Sequence, residues 1–142
     1  MGGFCDKWRY RPTILMAIKR TKYDKVFSEY IRTRDKWTCQ RCKKYYNPDE
    51  PNKRMGLHCS HYYGRGRYSV RFDPDNAVAL CYGCHRYLGS NPADHLDFIR
   101  ERLGSSRYKK LKQRKNKIVK KSQMLNDHFY NELKLMLENE NT

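Results

Sequence analysis

Two short cysteine motifs decide the fold of this chain: CQRC at residues 39–42 and CYGC at residues 81–84. Each motif can offer two thiolates from one tight turn, and four thiolates at about 2.3 Å in a tetrahedral array satisfy a structural zinc ion. The sequence therefore predicts a structural Zn²⁺ whose ligands are Cys39, Cys42, Cys81 and Cys84. Because 38 residues (43–80) separate the motifs, a hairpin must be inserted between them.

Other uses of these cysteines fit less well. Two disulfides are disfavoured because an intracellular compartment keeps thiols reduced. A redox role is disfavoured because the motif occurs twice without a thioredoxin-like βαβ pattern. The remaining cysteines, Cys5 and Cys59, are expected to be small buried hydrophobic side chains.

Length and charge narrow the class of protein. The chain has 142 residues, with 31 Lys and Arg against 15 Asp and Glu, so its formal net charge is +16. This length suits one small domain and excludes large multidomain enzymes. A strongly basic protein of this size most often binds a polyanion, and charge alone does not distinguish DNA from RNA. The longest apolar run, residues 14–18, falls far short of the ~20 residues that span a membrane, so we expect a cytoplasmic protein of a bacterial or phage-infected cell.

Turn formers and apolar spacing divide the chain into three segments, which together predict an α+β fold. Residues 1–38 form an N-terminal helical segment, with Ile14, Leu15 and Ile18 on one helical face and Asp24 as the N-cap of a second helix. Residues 39–104 form the zinc-containing core. It consists of a loop-rich ββα unit and then a helix that begins at Asn91-Pro92 and stops at Gly104.

Residues 105–142 predict a long C-terminal helix, basic and then amphipathic, that starts at Ser105 as its N-cap and is either one helix or two. Residues 105–121 contain no acidic residue, and we expect their basic side chains to bind DNA, the alternative being a solvated helix face. These side chains are Arg107, Lys109, Lys110, Lys112, Arg114, Lys115, Lys117, Lys120 and Lys121. The apolar stripe of residues 124–137 either packs on its own domain, which we favour, or forms a homodimer.

A His, an Asn and a His follow in order between and beside the knuckles: His61 in the run LHCSHYYGR (57–65), then Asn76 and His85. This order resembles the HNH motif of the ββα-metal endonucleases. Over residues 21–104 the chain looks like the phage NinG/Rap recombination nucleases, through TKYDKVFSEYIRTRD (21–35), SHY (60–62), RF (71–72) and LGSN (88–91). The resemblance implies an HNH core that cleaves branched DNA recombination intermediates.

The chemistry of phosphodiester hydrolysis assigns roles to these residues. A neutral imidazole is a suitable base for activating water, and we assign that role to His61. His85 is the best ligand for a catalytic divalent ion, Mg²⁺ or Mn²⁺, because zinc would fix its neighbour Cys84. In related motifs the Asn fixes the loop that orients the base, which implies that role for Asn76.

One position departs from the family pattern, because Ser60 stands where many HNH proteins carry an Asp that binds the metal. His58 is the alternative ligand, but residues i and i+3 of a straight strand face opposite sides, so a bend or bulge is expected. Without the acid, a non-catalytic zinc-containing module that binds nucleic acid stays open. A plainer interpretation also stays open, in which the three histidines are interior or solvent-facing groups beside a structural zinc.

Basic side chains also lie on the loop between the two expected strands. Arg65, Arg67 and Arg71 are predicted to hold phosphates beside the metal, positioning DNA without reading its sequence. His95 and His128 lie on helical patterns and are expected to have packing or surface roles.

Overall fold

The structure, a computed structural model, describes residues 18–142. It combines helices with a two-stranded antiparallel sheet, as the predicted α+β class requires. The elements are α1 (Lys22–Arg34), α2 (Pro51–Arg54), β1 (Leu57–His61), β2 (Ala77–Cys81), α3 (Tyr82–Ser90), α4 (Pro92–Lys115), α5 (Lys121–Met124) and α6 (Asp127–Asn141). The predictions for Cys5, Ile14 and Leu15 fall outside the described residues, and Ile18 precedes α1 in non-helical chain.

The N-cap of helix α1 lies three residues earlier than the one that the sequence suggested. Thr21, not Asp24, is the N-cap: its hydroxyl accepts a hydrogen bond from the Asp24 N–H, and the Asp24 carboxylate accepts one from the Thr21 N–H at 2.7 Å. This is a capping box, in which the acid at the third helical position completes the cap instead of starting it. The helix then buries Phe27 and Ile31 in the main core.

The sheet pairs β1 with β2 in a continuous register from Leu57 opposite Cys81 to His61 opposite Ala77. The bend or bulge expected between His58 and His61 is therefore absent from the ladder. Residues 77–80 of β2 are all buried, because α1 and α3 both pack against the sheet. The main core forms where these elements meet, around Phe27, Leu80 and Leu88.

The C-terminal region is not one long helix. Helix α4 starts at Pro92, leaves helical geometry at Gly104 (φ 75°), where the sequence placed its end, and then continues to Lys115. Residues 116–120 are not helical, and α5 and α6 follow. Gly104 therefore separates two helices, as the sequence predicted, but the non-helical residue before the second of them is Gly104 itself and not the predicted cap Ser105. Asn126 caps α6 by accepting a hydrogen bond from the Phe129 N–H at 2.9 Å.

The apolar stripe of α6 packs against α1 within the same chain, as we favoured. Leu133 is 1% exposed, and the Phe129 ring contacts the rings of Tyr23 and Phe72. A homodimer stays a prediction, and it would need a residue that this packing leaves exposed, such as Leu135. No helix formed by residues 18–142 is both long enough and apolar enough to cross a membrane.

Candidate metal centre and histidine cleft

The four cysteines of the two motifs converge as the sequence predicted. The Sγ atoms of Cys39, Cys42, Cys81 and Cys84 all lie within 4.8 Å of one another. Four thiolates at 2.3 Å from a tetrahedral zinc ion would have Sγ atoms about 3.8 Å apart, and the Cys42 and Cys81 Sγ atoms are separated by 3.8 Å. These cysteines can therefore hold a structural zinc ion.

Local backbone features bring the two motifs together. In the first motif, the Cys39 N–H donates to the Lys44 carbonyl and Lys43 adopts a φ of 64°, which turns the chain back on itself. The Gln40 N–H donates to the Ala79 carbonyl at 2.9 Å, and this bond attaches the motif to β2. In the second motif, Cys81 caps α3, so its sulfur lies at the positive end of a helix, where a thiolate is favoured.

Cys39 of the cluster and Cys59 outside it have thiols with different pKa values. Burial by itself would raise the pKa of Cys39, but backbone hydrogen bonds from Cys81, Cys42 and Arg41 lower that pKa to about 7, so the thiolate is accessible near neutral pH. Burial raises the pKa of Cys59 to about 12. Cys59 packs against the main core but is only half-buried, because it also lines the histidine cleft, so the predicted full burial is not met.

A cleft of about 470 Å³ is lined by His85, the residue that follows Cys84 of the second cysteine motif. It brings together the three predicted histidines and three arginines. Its lining residues are Arg20, Asp24, Ser28, Arg32, Met55, Leu57, His58, Cys59, His61, Arg65 and His85. His58 and His61 border the same cleft without a bulge because β1 is an edge strand, so side chains from both of its faces can flank the unpaired edge.

His58 and His85 face each other in this cleft. Their Nδ1 atoms are 3.3 Å apart, and two imidazole ligands of one metal ion at 2.0–2.1 Å would have nitrogens about 2.9–3.4 Å apart. Burial lowers the pKa of both rings, which keeps their lone pairs available for a metal. The pair therefore fits two positions of a divalent ion.

The described residues offer this pair no third protein ligand. Among residues 18–142, the zinc cysteines form the only group of three or more His, Cys, Asp or Glu side chains able to share a metal. Ser60 is 1% exposed and does not border the cleft. Water or phosphate oxygens would have to fill the remaining positions of an ion at His58 and His85.

His61 is held in one orientation. Its Nε2 lies 2.8 Å from the Arg71 carbonyl oxygen. A carbonyl only accepts hydrogen bonds, so the neutral ring carries its proton on Nε2 and keeps a lone pair on Nδ1. Burial lowers the pKa of His61 to about 4 despite that hydrogen bond, so the ring is neutral at pH 7. The ring is therefore in the state that can accept a proton, and a pKa of about 4 makes it a weaker base than an ordinary imidazole.

Arg71 is buried and does not bind phosphate as predicted. Its side chain is 1% exposed, and its guanidinium forms two hydrogen bonds to the Asp24 carboxylate, at 3.0 and 2.7 Å. A buried guanidinium needs a carboxylate partner, and Asp24 supplies one across 47 residues of sequence. The same pair fixes the segment whose carbonyl holds His61.

Asn76 is also internal, and its amide supports the loop that follows His61. Its side-chain oxygen accepts a hydrogen bond from the Tyr63 N–H at 2.8 Å, and its NH₂ group donates to the carbonyls of Tyr63 and Val70. Asn76 does not border the cleft. Its contacts fit the implied role of fixing a loop, and they give it no direct contact with a substrate in the cleft.

The predicted basic segment is divided between structural and exposed roles. Arg114 binds the carboxylates of Asp73 and Asp75, and Arg107 also binds Asp75, so these two cations are paired within the protein. The Lys115 ammonium lies 5.0 Å from the centre of the Tyr63 ring. The exposed members are Lys109, Lys110, Lys112, Lys117, Lys120 and Lys121. Arg67 is likewise exposed, whereas Arg65 is half-buried and borders the cleft.

Sequence reasoning missed Arg20 and Arg32 as cleft residues. A sequence signal for them exists, because four cleft residues recur every four positions in α1 and just before it. They are Arg20, Asp24, Ser28 and Arg32. That spacing places them along one helical face. The other histidines have the expected roles: His95 packs on the Tyr62 ring, and His128 is exposed beside Glu132.

Comparison of the chain with protein-family models, with curated proteins and with solved structures found no match. The HNH resemblance therefore rests on the motif residues that the sequence carries.

The Asp24–Arg71 pair gives a prediction about stability. Burial by itself would raise the pKa of Asp24, but hydrogen bonds from Arg71 and Thr21 hold it below its ordinary value of 3.8. We expect Asp24→Asn to lower the free energy of unfolding at pH 7 by about 3 kcal/mol, because Arg71 is left buried without its partner. A carboxylate with a lowered pKa stabilises the fold above pH ~4 and loses that effect as the pH falls through the folded-state pKa.

Urea unfolding at pH 7 and at pH 3 measures both parts of this prediction. The difference between wild type and Asp24→Asn should shrink at the lower pH. Asp127→Asn is the matched control, because Asp127 pairs with Lys22 at 3.6 Å but is 94% exposed, and such surface pairs contribute about 0–1 kcal/mol. Equal losses in the two variants at pH 7 would contradict the prediction.

Proposed function

We propose that this protein is a metal-dependent endonuclease that hydrolyses phosphodiester bonds in DNA, with branched recombination intermediates as its substrates. One observation carries the proposal: a single cleft holds a neutral, oriented imidazole, a pair of imidazoles at metal-ligand spacing, and cations. This is the set of groups that phosphodiester hydrolysis needs, namely a base, a metal site and donors for phosphate.

Each group has one task in the reaction. His61 takes a proton on Nδ1 from a water molecule, whose oxygen forms a bond to phosphorus while the bond to the leaving 3′ oxygen breaks. The guanidinium groups of Arg20 and Arg65 favour an anionic phosphate in the cleft, whereas Arg32 is paired with Glu29 at 3.0 Å. A divalent ion at His58 and His85 would stabilise the charge that develops on the phosphate and on the leaving oxygen.

The preference for branched DNA rests on the sequence resemblance. Arg67 lies on the loop after β1, and the six exposed lysines lie on the second half of α4, in the segment that follows it and at the start of α5. Because the end of α4 is tied to the same loop through Ser69 and Asp73, these cations lie on connected elements of the structure. Phosphate contacts from such cations position DNA by its shape, without a base code.

The choice of ligands predicts the preferred metal. Imidazole nitrogens suit transition metals better than Mg²⁺, which prefers oxygen ligands. We expect zinc-loaded protein to bind added Mn²⁺ more tightly than Mg²⁺, and His85→Ala to raise the Kd for Mn²⁺ by at least about 10- to 100-fold, since changes even outside the ligand set have effects of that size. Titration followed by the electron paramagnetic resonance of free Mn²⁺ measures the Kd.

His128→Ala is the control for this titration, because His128 is an exposed histidine on α6. Its Kd for Mn²⁺ should equal that of wild type. An unchanged Kd in His85→Ala would remove the assigned metal site from the proposal.

The experiment that tests the function as a whole is cleavage of linear, flap and four-way-junction DNA, with and without Mn²⁺ or Mg²⁺. The proposed function predicts metal-dependent nicking, strongest on the branched substrates. Absence of nicking with every divalent ion would overturn it.

A non-catalytic zinc-containing module that binds nucleic acid is the second candidate. The observation that favours it is the buried Ser60, which leaves the histidine pair without an acidic ligand among the described residues. Protein that binds a four-way junction and never nicks it would establish this candidate instead.

A further inference from the structure

Ile118 is almost completely exposed. Its 96% exposure is the highest of any large hydrophobic side chain among the described residues. It lies in the non-helical segment 116–120, which joins α4 to α5. Single exposed apolar residues are ordinary on protein surfaces, so the surroundings of Ile118 decide whether this one has a function.

The surroundings are strongly cationic. Lys117, Lys120 and Lys121 are exposed and lie within three residues of Ile118 in the sequence. The acids that the structure brings to this end of α4, Asp73 and Asp75, are both bound by Arg114. A surface of this kind attracts a polyanion, and the apolar side chain then meets whatever the polyanion carries between its phosphates. In double-stranded DNA, that is the stack of bases.

The segment is braced at the end of α4. The Ser69 hydroxyl donates to the Lys115 carbonyl at 2.9 Å, and Arg114 binds Asp73, so the end of the helix is tied to the loop that follows His61. Leu111, one turn earlier, is 0% exposed. An apolar side chain on a backbone that is already fixed can enter a step between bases without first being ordered. This lowers the entropic cost of binding.

The opposite end of the segment is held as well. Met124 and Leu125 follow the short helix α5 and pack against the main core. The tip that carries Ile118 is therefore supported from both sides, while Ile118 itself stays exposed.

We propose that Ile118 is a wedge that inserts between base pairs at an unstacked step of DNA, while Lys117, Lys120 and Lys121 hold the flanking phosphates. Apolar side chains of this size separate base steps in other DNA-binding architectures. Steps at a branch point are already weakly stacked, so insertion costs least there. This inference rests on DNA being the ligand in the proposed function, but not on cleavage.

The wedge is tested with a four-way junction that carries 2-aminopurine beside its branch point, since the fluorescence of this base rises when it is unstacked. Zinc-loaded wild type, without added Mn²⁺ or Mg²⁺, should raise the fluorescence on binding. Ile118→Ala should abolish most of that rise and weaken junction binding by about tenfold, the size expected when most of one buried aliphatic side chain is lost. Ile118→Leu, which keeps the apolar volume, should restore both signals.

Further measurements separate the loss of the apolar side chain from effects on folding and on charge. Ile118 buries almost nothing, so Ile118→Ala should unfold at the wild-type temperature. Leu135→Ala is the matched control, because Leu135 is 57% exposed on α6, and it should behave as wild type. The slope of log K against log salt should be unchanged in Ile118→Ala, since no cation is removed, and should become shallower in Lys117→Gln.

Two outcomes would overturn the wedge. One is wild-type fluorescence and affinity in Ile118→Ala. The other is a loss of binding to anionic phospholipid vesicles in that variant while junction binding stays intact, which would make the tip a membrane contact. Failure of the proposed cleavage is a separate result: a protein that unstacks the junction through Ile118 and never nicks it loses its nuclease assignment and keeps its wedge.

Discussion

His61→Ala is expected to lower the rate of Mn²⁺-dependent DNA cleavage by about 10²- to 10⁴-fold, the usual contribution of a positioned general base. The expectation depends on the one free nitrogen of this ring, because Nε2 is engaged by the Arg71 carbonyl at 2.8 Å. With a pKa of about 4, the ring is neutral at pH 7, so the whole enzyme population holds the base in its active form. Single-turnover cleavage of a four-way junction measures the loss.

The effect should fall on the chemical step. Junction affinity in His61→Ala should stay near that of wild type, because His61 supplies no positive charge at neutral pH. Added imidazole should restore part of the rate by entering the space that the truncation leaves. Cleavage that continues undiminished would falsify the assigned mechanism, and a parallel loss of zinc content would show that the variant had changed the fold instead.

Cys42→Ala is expected to destabilise the protein more than any other exposed substitution. Cys42 is exposed, so truncating its side chain loses little packing, and the expected effect comes from the metal. Zinc binding contributes about 10–16 kcal/mol in zinc-finger peptides, whereas a whole domain is stable by only about 5–15 kcal/mol. We expect a bound zinc content well below one per chain and a free energy of unfolding lowered by at least about 3 kcal/mol.

Zinc content by elemental analysis and urea unfolding by circular dichroism measure this prediction. Cys59→Ala is the matched control, because Cys59 lies outside the metal cluster and should retain one zinc per chain. A strong chelator should reproduce the Cys42→Ala phenotype in wild type. One zinc per chain in Cys42→Ala, with wild-type stability, would contradict the assignment.

The candidate cleft shows how far local patterns reach. His58, His61 and His85 were selected from their order in the sequence, and the structure places all three in one cleft. The predicted bulge is absent from the pairing of β1 with β2, and β1 lies at the edge of a sheet of two strands. Edge position is a property of the sheet, which the sequence of one strand does not contain.

The arginines mark the limit of composition as a guide. Arg65, Arg67 and Arg71 look equivalent in the sequence, yet one borders the cleft, one is exposed and one is buried against Asp24. Two cations of the C-terminal segment, Arg107 and Arg114, were likewise predicted to bind DNA. They are instead paired with acidic side chains at positions 73 and 75, which lie before β2. Charge counted along a segment does not record partners that come from elsewhere in the chain.

The sequence by itself predicted the four cysteines that can hold a zinc ion, because two cysteines three residues apart converge through the geometry of a single turn. It also determined the candidate base and metal ligands, through the order of His, Asn and His. Only the tertiary structure decided which cations face the cleft, that Asn76 acts from inside a loop, and that Asp24 holds Arg71. Burial and ion pairing join residues that are distant in sequence, 47 positions apart for Asp24 and Arg71, and their energies exist only once the chain has folded.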